Sequence, residues 1–262
     1  MEQMKNILRK PPPEKQLIAV DDTRHSPCLT PFRLAPAALH DLYAASPAHA
    51  VAASAFGLGM AVVAAAGRPV VWGLDAMMAQ EVGQPYAPGL SEMGLRPSDL
   101  FLVRVCDAPA LLAVGEEALR SSGVGAVVLS AWGETKAFSL TASRRLSMAA
   151  RTGGATAFLV RTGAAPSPSA AWTRWSIRSG ASRPMEADTP GRPVFSAQLQ
   201  RHREGAALRT WTLEWDRDRR AFVEADDLAA TLSGGLASMA AQRPAAARER
   251  GHRDKSLLRR IA

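Results

Sequence analysis

The chain has 262 residues, of which 47% are hydrophobic, and a net charge of +8, a length that suits one domain or one domain with appendages. No run of about 18 uninterrupted apolar residues occurs, and Met1 to Pro13 is polar and proline-rich without the apolar core of a secretory signal, so a soluble, cytoplasmic protein with no membrane contact is expected. Cys28 and Cys106, the two cysteines, have neither metal-site nor redox-pair spacing and cannot make a disulfide framework.

The charge is unevenly spread. Residues 1–33 carry six Lys/Arg against four Asp/Glu, residues 34–242 nineteen against eighteen, and residues 243–262 seven against two. A nearly neutral body with a basic tail is not the footprint of a domain that clamps a duplex along one face. If DNA is touched directly, the tail is the expected route.

Residues 1–33, with Pro11, Pro12, Pro13, Pro27 and Pro31, read as a disordered or extended leader. Leu39 to Tyr43 alternates as a short strand does, the loop Ala44 to Pro47 follows, and Ala48 to Ala66 fits an alanine-rich helix. Gly57 and Gly59 weaken that helix by about 1 kcal/mol each and point to close packing against a neighbour. Pro69 to Leu74 and Phe101 to Val105 are buried-strand candidates separated by an irregular Gly- and Pro-rich segment. Ala108 to Ser122 is a helix with Glu116 and Glu117 outward, Gly125 to Ser130 a strand, Leu140 to Arg151 a helix opened by Thr141 or Ser143, and Ala155 to Val160 a strand. Strands alternating with helices argue for βαβ units and a mainly parallel sheet.

After the Pro166-Ser-Pro168 linker, Trp172 to Arg178, Val194 to Arg203 and Leu208 to Trp215 alternate like antiparallel strands, with Thr210, Thr212 and Glu214 opposite Trp211, Leu213 and Trp215. The Asp216 to Arg219 turn leads to Ala221-Phe-Val223, closing a β-meander on one sheet edge. A weak helix from Asp226 to Gln242 and a basic flexible tail complete the chain, so the domain itself is placed at residues 34–223 and the appendage at 224–262.

The phrases Leu39-His-Asp-Leu-Tyr43, Tyr86-Ala-Pro-Gly-Leu90, Met93-Gly-Leu95, Glu116-Glu-Ala-Leu-Arg120, Leu140-Thr-Ala-Ser-Arg-Arg-Leu146, Thr173-Arg-Trp175 and Trp211-Thr-Leu-Glu-Trp-Asp216 occur in this order. In them the chain resembles the ImuA family, RecA-like and SulA-like accessory proteins of inducible bacterial mutagenesis. The resemblance implies a RecA-like α/β fold and a role in SOS-controlled, error-prone translesion synthesis. It also implies partners: ImuB, an inactive relative of Y-family polymerases, a DnaE-class polymerase, and RecA.

A RecA-type ATPase needs a glycine-rich turn after its first strand, a Lys on the phosphates and a Ser/Thr on magnesium. The corresponding turn is Ala44, Ala45, Ser46, Pro47, Ala48, His49, without glycine or lysine, and Pro47 removes an amide donor. Magnesium also needs an acid at the end of a later buried strand, and after Ser130 the first acid is Glu134. No cofactor, metal or catalytic residue is therefore expected. His49 reads as a helix-start histidine, and the histidines show no metal or triad spacing.

Arg144, Arg145 and Arg174 are candidate basic contacts, although a solvated helix face explains Arg144 and Arg145 better. The tryptophans at 172, 175, 211 and 215 could stack on single-stranded bases but fit core packing better. Lys255, Leu257, Leu258, Arg259, Arg260 and Ile261 form a short apolar stripe framed by cations, a candidate docking peptide. An adaptor function is expected; a SulA-like division inhibitor and a residual RecA-like ATPase are the alternatives.

Overall fold

A strand buried on both faces organises the molecule. In the computed structural model, which describes residues 32–184 and 191–225, β1 (Leu39–Ala44) is wholly buried between two parallel neighbours, β5 (Thr156–Thr162) and β6 (Thr173–Ser179). The alternation of Leu39 to Tyr43 is thus not the mark of a half-exposed strand: His40 and Asp41 lie inside because each face of a central strand is covered. The other strands are β2 (Val70–Asp75), β3 (Leu100–Val105), β4 (Ala126–Trp132), β7 (Val194–His202), β8 (Thr210–Asp216) and β9 (Ala221–Glu224). Among the described residues they form one nine-stranded sheet, ordered β3-β2-β4-β5-β1-β6-β7-β8-β9.

The sheet is mixed. From β3 to β6 every pairing is parallel; from β6 to β9 every pairing is antiparallel. β6 therefore begins the meander while still belonging to the parallel part.

Among the described residues five α-helices cover the sheet: α1 (Ala50–Ala65), α2 (Ala76–Val82), α3 (Ala87–Glu92), α4 (Ala108–Arg120) and α5 (Leu140–Gly153). α2 and α3 occupy the segment expected to be irregular. Their ends explain this: Asp75 caps α2 through Met77 N at 2.7 Å, and Pro88 sits in the first turn of α3, where its missing N–H costs nothing. α5 starts at Ser139, whose Oγ accepts from Ala142 N at 3.2 Å, not at Thr141 or Ser143. It ends on left-handed Gly154.

α1 packs on one face, α4 and α5 on the other. α1 is long and apolar enough to pass for a membrane span together with the turn before it, yet more than half of that stretch is buried, as befits a helix largely enclosed by its own fold. The enclosure comes from the meander, whose Trp175, Phe195, Trp211, Trp215 and Phe222 share the core of α1. Gly57 and Gly59 let α1 lie close to the sheet: a Cβ on Gly57 would stand 3.0 Å from Val160 Cγ2 of β5. Phe32 already belongs to this core, its ring 4.7 Å from that of Trp175. The rest of the expected leader, the helix expected over 226–242 and the basic tail lie outside the described residues.

Candidate functional site

In a parallel sheet, ligands meet the carboxyl ends of the strands, and the turn Ala44 to His49 stands at that edge. After β1 the chain enters a 3-10 turn, Pro47–His49, before α1. Three amides at this junction have partners within the protein. Ala45 N donates to Ile177 O at 2.9 Å, and His49 N to Ser46 O at 3.0 Å. Ala50 N reaches Pro47 O. His49 is drawn towards β6: its Nδ1 accepts the Ser179 amide at 3.2 Å and lies 3.0 Å from Ser179 Oγ.

Two acids flank this edge. β4 runs on to Trp132, so Glu134 is two positions past the strand, and its Oε1 accepts from Ala165 N at 3.1 Å. The second is Asp75, at the end of β2 and buried. Its Oδ1 caps α2 and its Oδ2 accepts from Trp132 N at 3.4 Å, tying β2 to β4. The sequence reading missed Asp75, although a strand running into Asp and then a helical stretch is an N-cap signal. Among the described residues no group of three His, Cys, Asp or Glu side chains is placed to hold a metal ion.

The candidate basic contacts separate. Arg174 is turned inward: it lies 3.4 Å from Asp41 Oδ2, donates to Ser167 O, and faces the Tyr43 ring with its guanidinium carbon 5.6 Å from the centroid. Burial pushes the Asp41 carboxyl up from its ordinary range. Beside it, Arg161 stacks on Phe138 at 4.1 Å and donates to Gly133 O at 3.1 Å; burial pulls its guanidinium down. Arg145 pairs with Glu116 at 2.8 Å. Glu116, expected outward, is buried between α4 and α5, with Arg120 as its second cation at 3.7 Å. Arg144 remains exposed on α5. Of the tryptophans, Trp175, Trp211 and Trp215 are buried, while Trp172 is half-buried under the Arg203 guanidinium at 5.7 Å. Lys255 to Ile261 lies outside the described residues.

The segment Tyr86 to Leu90 gains a physical role. With α1 and α2 it encloses an apolar groove of about 270 Å³, floored by Leu58, Trp72, Leu74 and Met78. Tyr86, at its mouth, is 74% exposed.

No family model matches the chain. It is 34% identical over 131 residues to Protein ImuA of Caulobacter vibrioides, in both strain NA1000 / CB15N and strain ATCC 19089 / CIP 103742 / CB 15; the match covers 46% of this chain and 52% of the relative. The chain thus spans about half the length of the curated relatives it matches. Among solved structures, SulA from Pseudomonas aeruginosa overlaps 49% of this chain and 100% of its own, at 26% identity and a TM-score of 0.37, too loosely to argue from. The ImuA relatives support the family resemblance.

Proposed function

We propose that this relative of the ImuA proteins is a non-catalytic, cytoplasmic adaptor in SOS-induced, error-prone translesion DNA synthesis, acting beside an ImuB-like inactive polymerase relative and a DnaE-class polymerase and contacting RecA. In this reading the body is a RecA-like domain that has lost its phosphate turn.

The observation that carries the proposal is the turn after β1. Phosphoryl transfer depends on a cradle of N–H donors, a lysine and a metal held by acids, with little other chemistry for the protein to supply. Here Ala44 to His49 has no glycine or lysine, three amides at this junction are bonded within the protein, and Asp75 is committed to helix and strand contacts. A domain of this kind acts through its surfaces. The groove beneath Tyr86 suits a large apolar side chain of the ImuB-like partner, because a pocket of this size desolvates one anchor residue. The Lys255 to Ile261 segment is the second docking element.

Co-expression with ImuB and RecA, followed by affinity capture, tests this. The full chain is expected to retain ImuB, and Tyr86→Asp or the pair Leu257→Asp and Leu258→Asp to weaken that capture. Recovery of neither ImuB nor RecA with the full chain would overturn the adaptor reading.

A further inference from the structure

The rim of the sheet opposite the Ala44–His49 turn carries a concentration of arginine that the charge count along the chain conceals. Three separate stretches meet there: the end of α1 with Arg68, the segment from Gly94 to Asp99 that leads into β3, and the β8–β9 turn with Arg219 and Arg220. They line a cleft of about 400 Å³ whose floor is apolar, with Val62, Val63 and Leu95. Four arginines, Arg68, Arg96, Arg219 and Arg220, stand against the single acid Asp99, a local excess of three positive charges. The whole of residues 34–242 has nineteen basic residues against eighteen acidic ones, so folding has gathered cations that are dispersed in sequence.

Little of this charge is spent inside the protein. Asp99 is taken by Arg96, Nε to Oδ2 at 2.6 Å. Arg68 donates to the Gly154 carbonyl at 3.3 Å. Among the described residues Arg219 and Arg220 form no salt bridge, and the charge of Arg219 acts at longer range on the Asp216 carboxylate, helping the bond from its own backbone amide to hold it below its ordinary range. Arg220 is also seated by design of the backbone around it. It takes a left-handed conformation, φ +51°, and its stem lies on Gly94, itself at φ +84°. A Cβ on Gly94 would come within 2.8 Å of Arg220 Cγ and Cδ, so glycine is the residue that admits the stem.

We propose that this cleft binds the sugar-phosphate backbone of a single DNA strand. Planar guanidinium forks match phosphate oxygens two at a time, several of them around an apolar floor suit a strand whose sugars and bases can rest between the phosphates, and the excess charge is the electrostatic footprint of a polyanion site. The choice of DNA among polyanions rests on the adaptor reading. The site is built from residues of the body alone and uses none of the basic residues of 243–262 that the sequence singles out.

The test is titration of a fluorescently labelled oligothymidylate with the full chain across a salt series. Arg68→Gln, Arg219→Gln and Arg220→Gln together keep the stems and remove three charges. This variant is expected to bind about tenfold more weakly or worse, and its log K against log salt slope is expected to fall by about 2, at roughly 0.7 per phosphate contact on a single strand. The tail variant Lys255→Gln, Arg259→Gln, Arg260→Gln is expected to retain most of the binding. Failure of the wild-type chain to bind, or equal affinity and slope for wild type and cleft variant, would overturn the proposal. ImuB capture by the same variants keeps the two readings apart: loss of capture with unchanged DNA binding makes the cleft a protein surface and removes the DNA site. Weakened DNA binding in a chain that never captures ImuB leaves the site standing and removes the adaptor.

Discussion

Gly59 in α1 lies against the ring of Phe222 in β9: a Cβ on the glycine would stand 2.7 Å from Phe222 Cζ and 3.0 Å from Trp215 Cζ3. The last strand of the meander thus rests on the helix that follows the first strand, and the absence of one methyl group sets their spacing. Phe222 and Trp215 are themselves edge to face with centroids 4.9 Å apart, so neither ring can move without disturbing the other.

Gly59→Val should therefore cost about 2–3 kcal/mol through overpacking. Gly89→Ala, in α3 with nothing within 4 Å of the new Cβ, should instead gain up to about 1 kcal/mol from helix propensity and a stiffer unfolded chain. Urea unfolding of both variants decides this, and equal effects would show that the Gly59 contact does not constrain the fold.

His40 gives the fold an acid limit. It is fully buried, stacked on Phe158, and its Nδ1 and Nε2 reach Thr173 Oγ1 at 2.7 Å and Ala35 O at 3.0 Å. Burial lowers its pKa from 6.5 to about 4. The unfolded chain therefore takes up the proton at a higher pH than the native one, so the stabilising contribution is complete above about pH 6.5 and declines as pH falls towards 4. The loss reaches about 3 kcal/mol at the lower end. His40→Asn should flatten the dependence of the urea midpoint on pH across this window; an unchanged slope would show that another group is responsible.

The Asp41 and Arg174 pair should behave as a buried ion pair does. Asp41→Ala leaves a mostly buried guanidinium facing Tyr43 without its carboxylate, and a loss of about 3–5 kcal/mol is expected. Replacing both residues by leucine removes both charges and should recover a large part of that loss. A double-mutant cycle by chemical denaturation measures the coupling, and additive effects would mean that the two side chains do not sense each other.

Nucleotide offers a separate check on the turn after β1. A ligand at 100 times its dissociation constant stabilises the state that binds it by about 2.7 kcal/mol, a shift of several degrees in Tm. Magnesium-ATP in excess is expected to leave the melting curve in place, and a shift of that size would restore a phosphate-binding role to Ala44 to His49.

The parallel part of the sheet was legible because its strands are short apolar runs bounded by Gly, Pro and helix caps, the pattern of strands covered on both faces. What escaped depends on partners. Glu116 falls on the polar side of α4 taken alone, and only the packing of α5, with Arg145, buries it. The burial of His40 and Asp41, on opposite faces of one strand, likewise depends on β5 and β6, which flank β1 and make it a central strand. Arg174 looks like surface charge in a strand of alternating pattern, yet its face is the one that meets Asp41. The Arg68, Arg219 and Arg220 cleft is assembled from segments too far apart in sequence for any local count to bring together.

The central place of β1 has a consequence for how the protein is made. Its partners β5 and β6 lie far downstream, with Leu39 opposite Ala157 and His40 opposite Thr173. At about 5–20 residues per second a ribosome needs on the order of ten seconds to deliver them. Throughout that interval the emerging segment from Leu39 through α1, apolar on nearly every side, lacks the two strands that flank β1. The core around β1 is therefore complete only once β5 and β6 have left the exit tunnel, and until then the exposed apolar segment is open to aggregation.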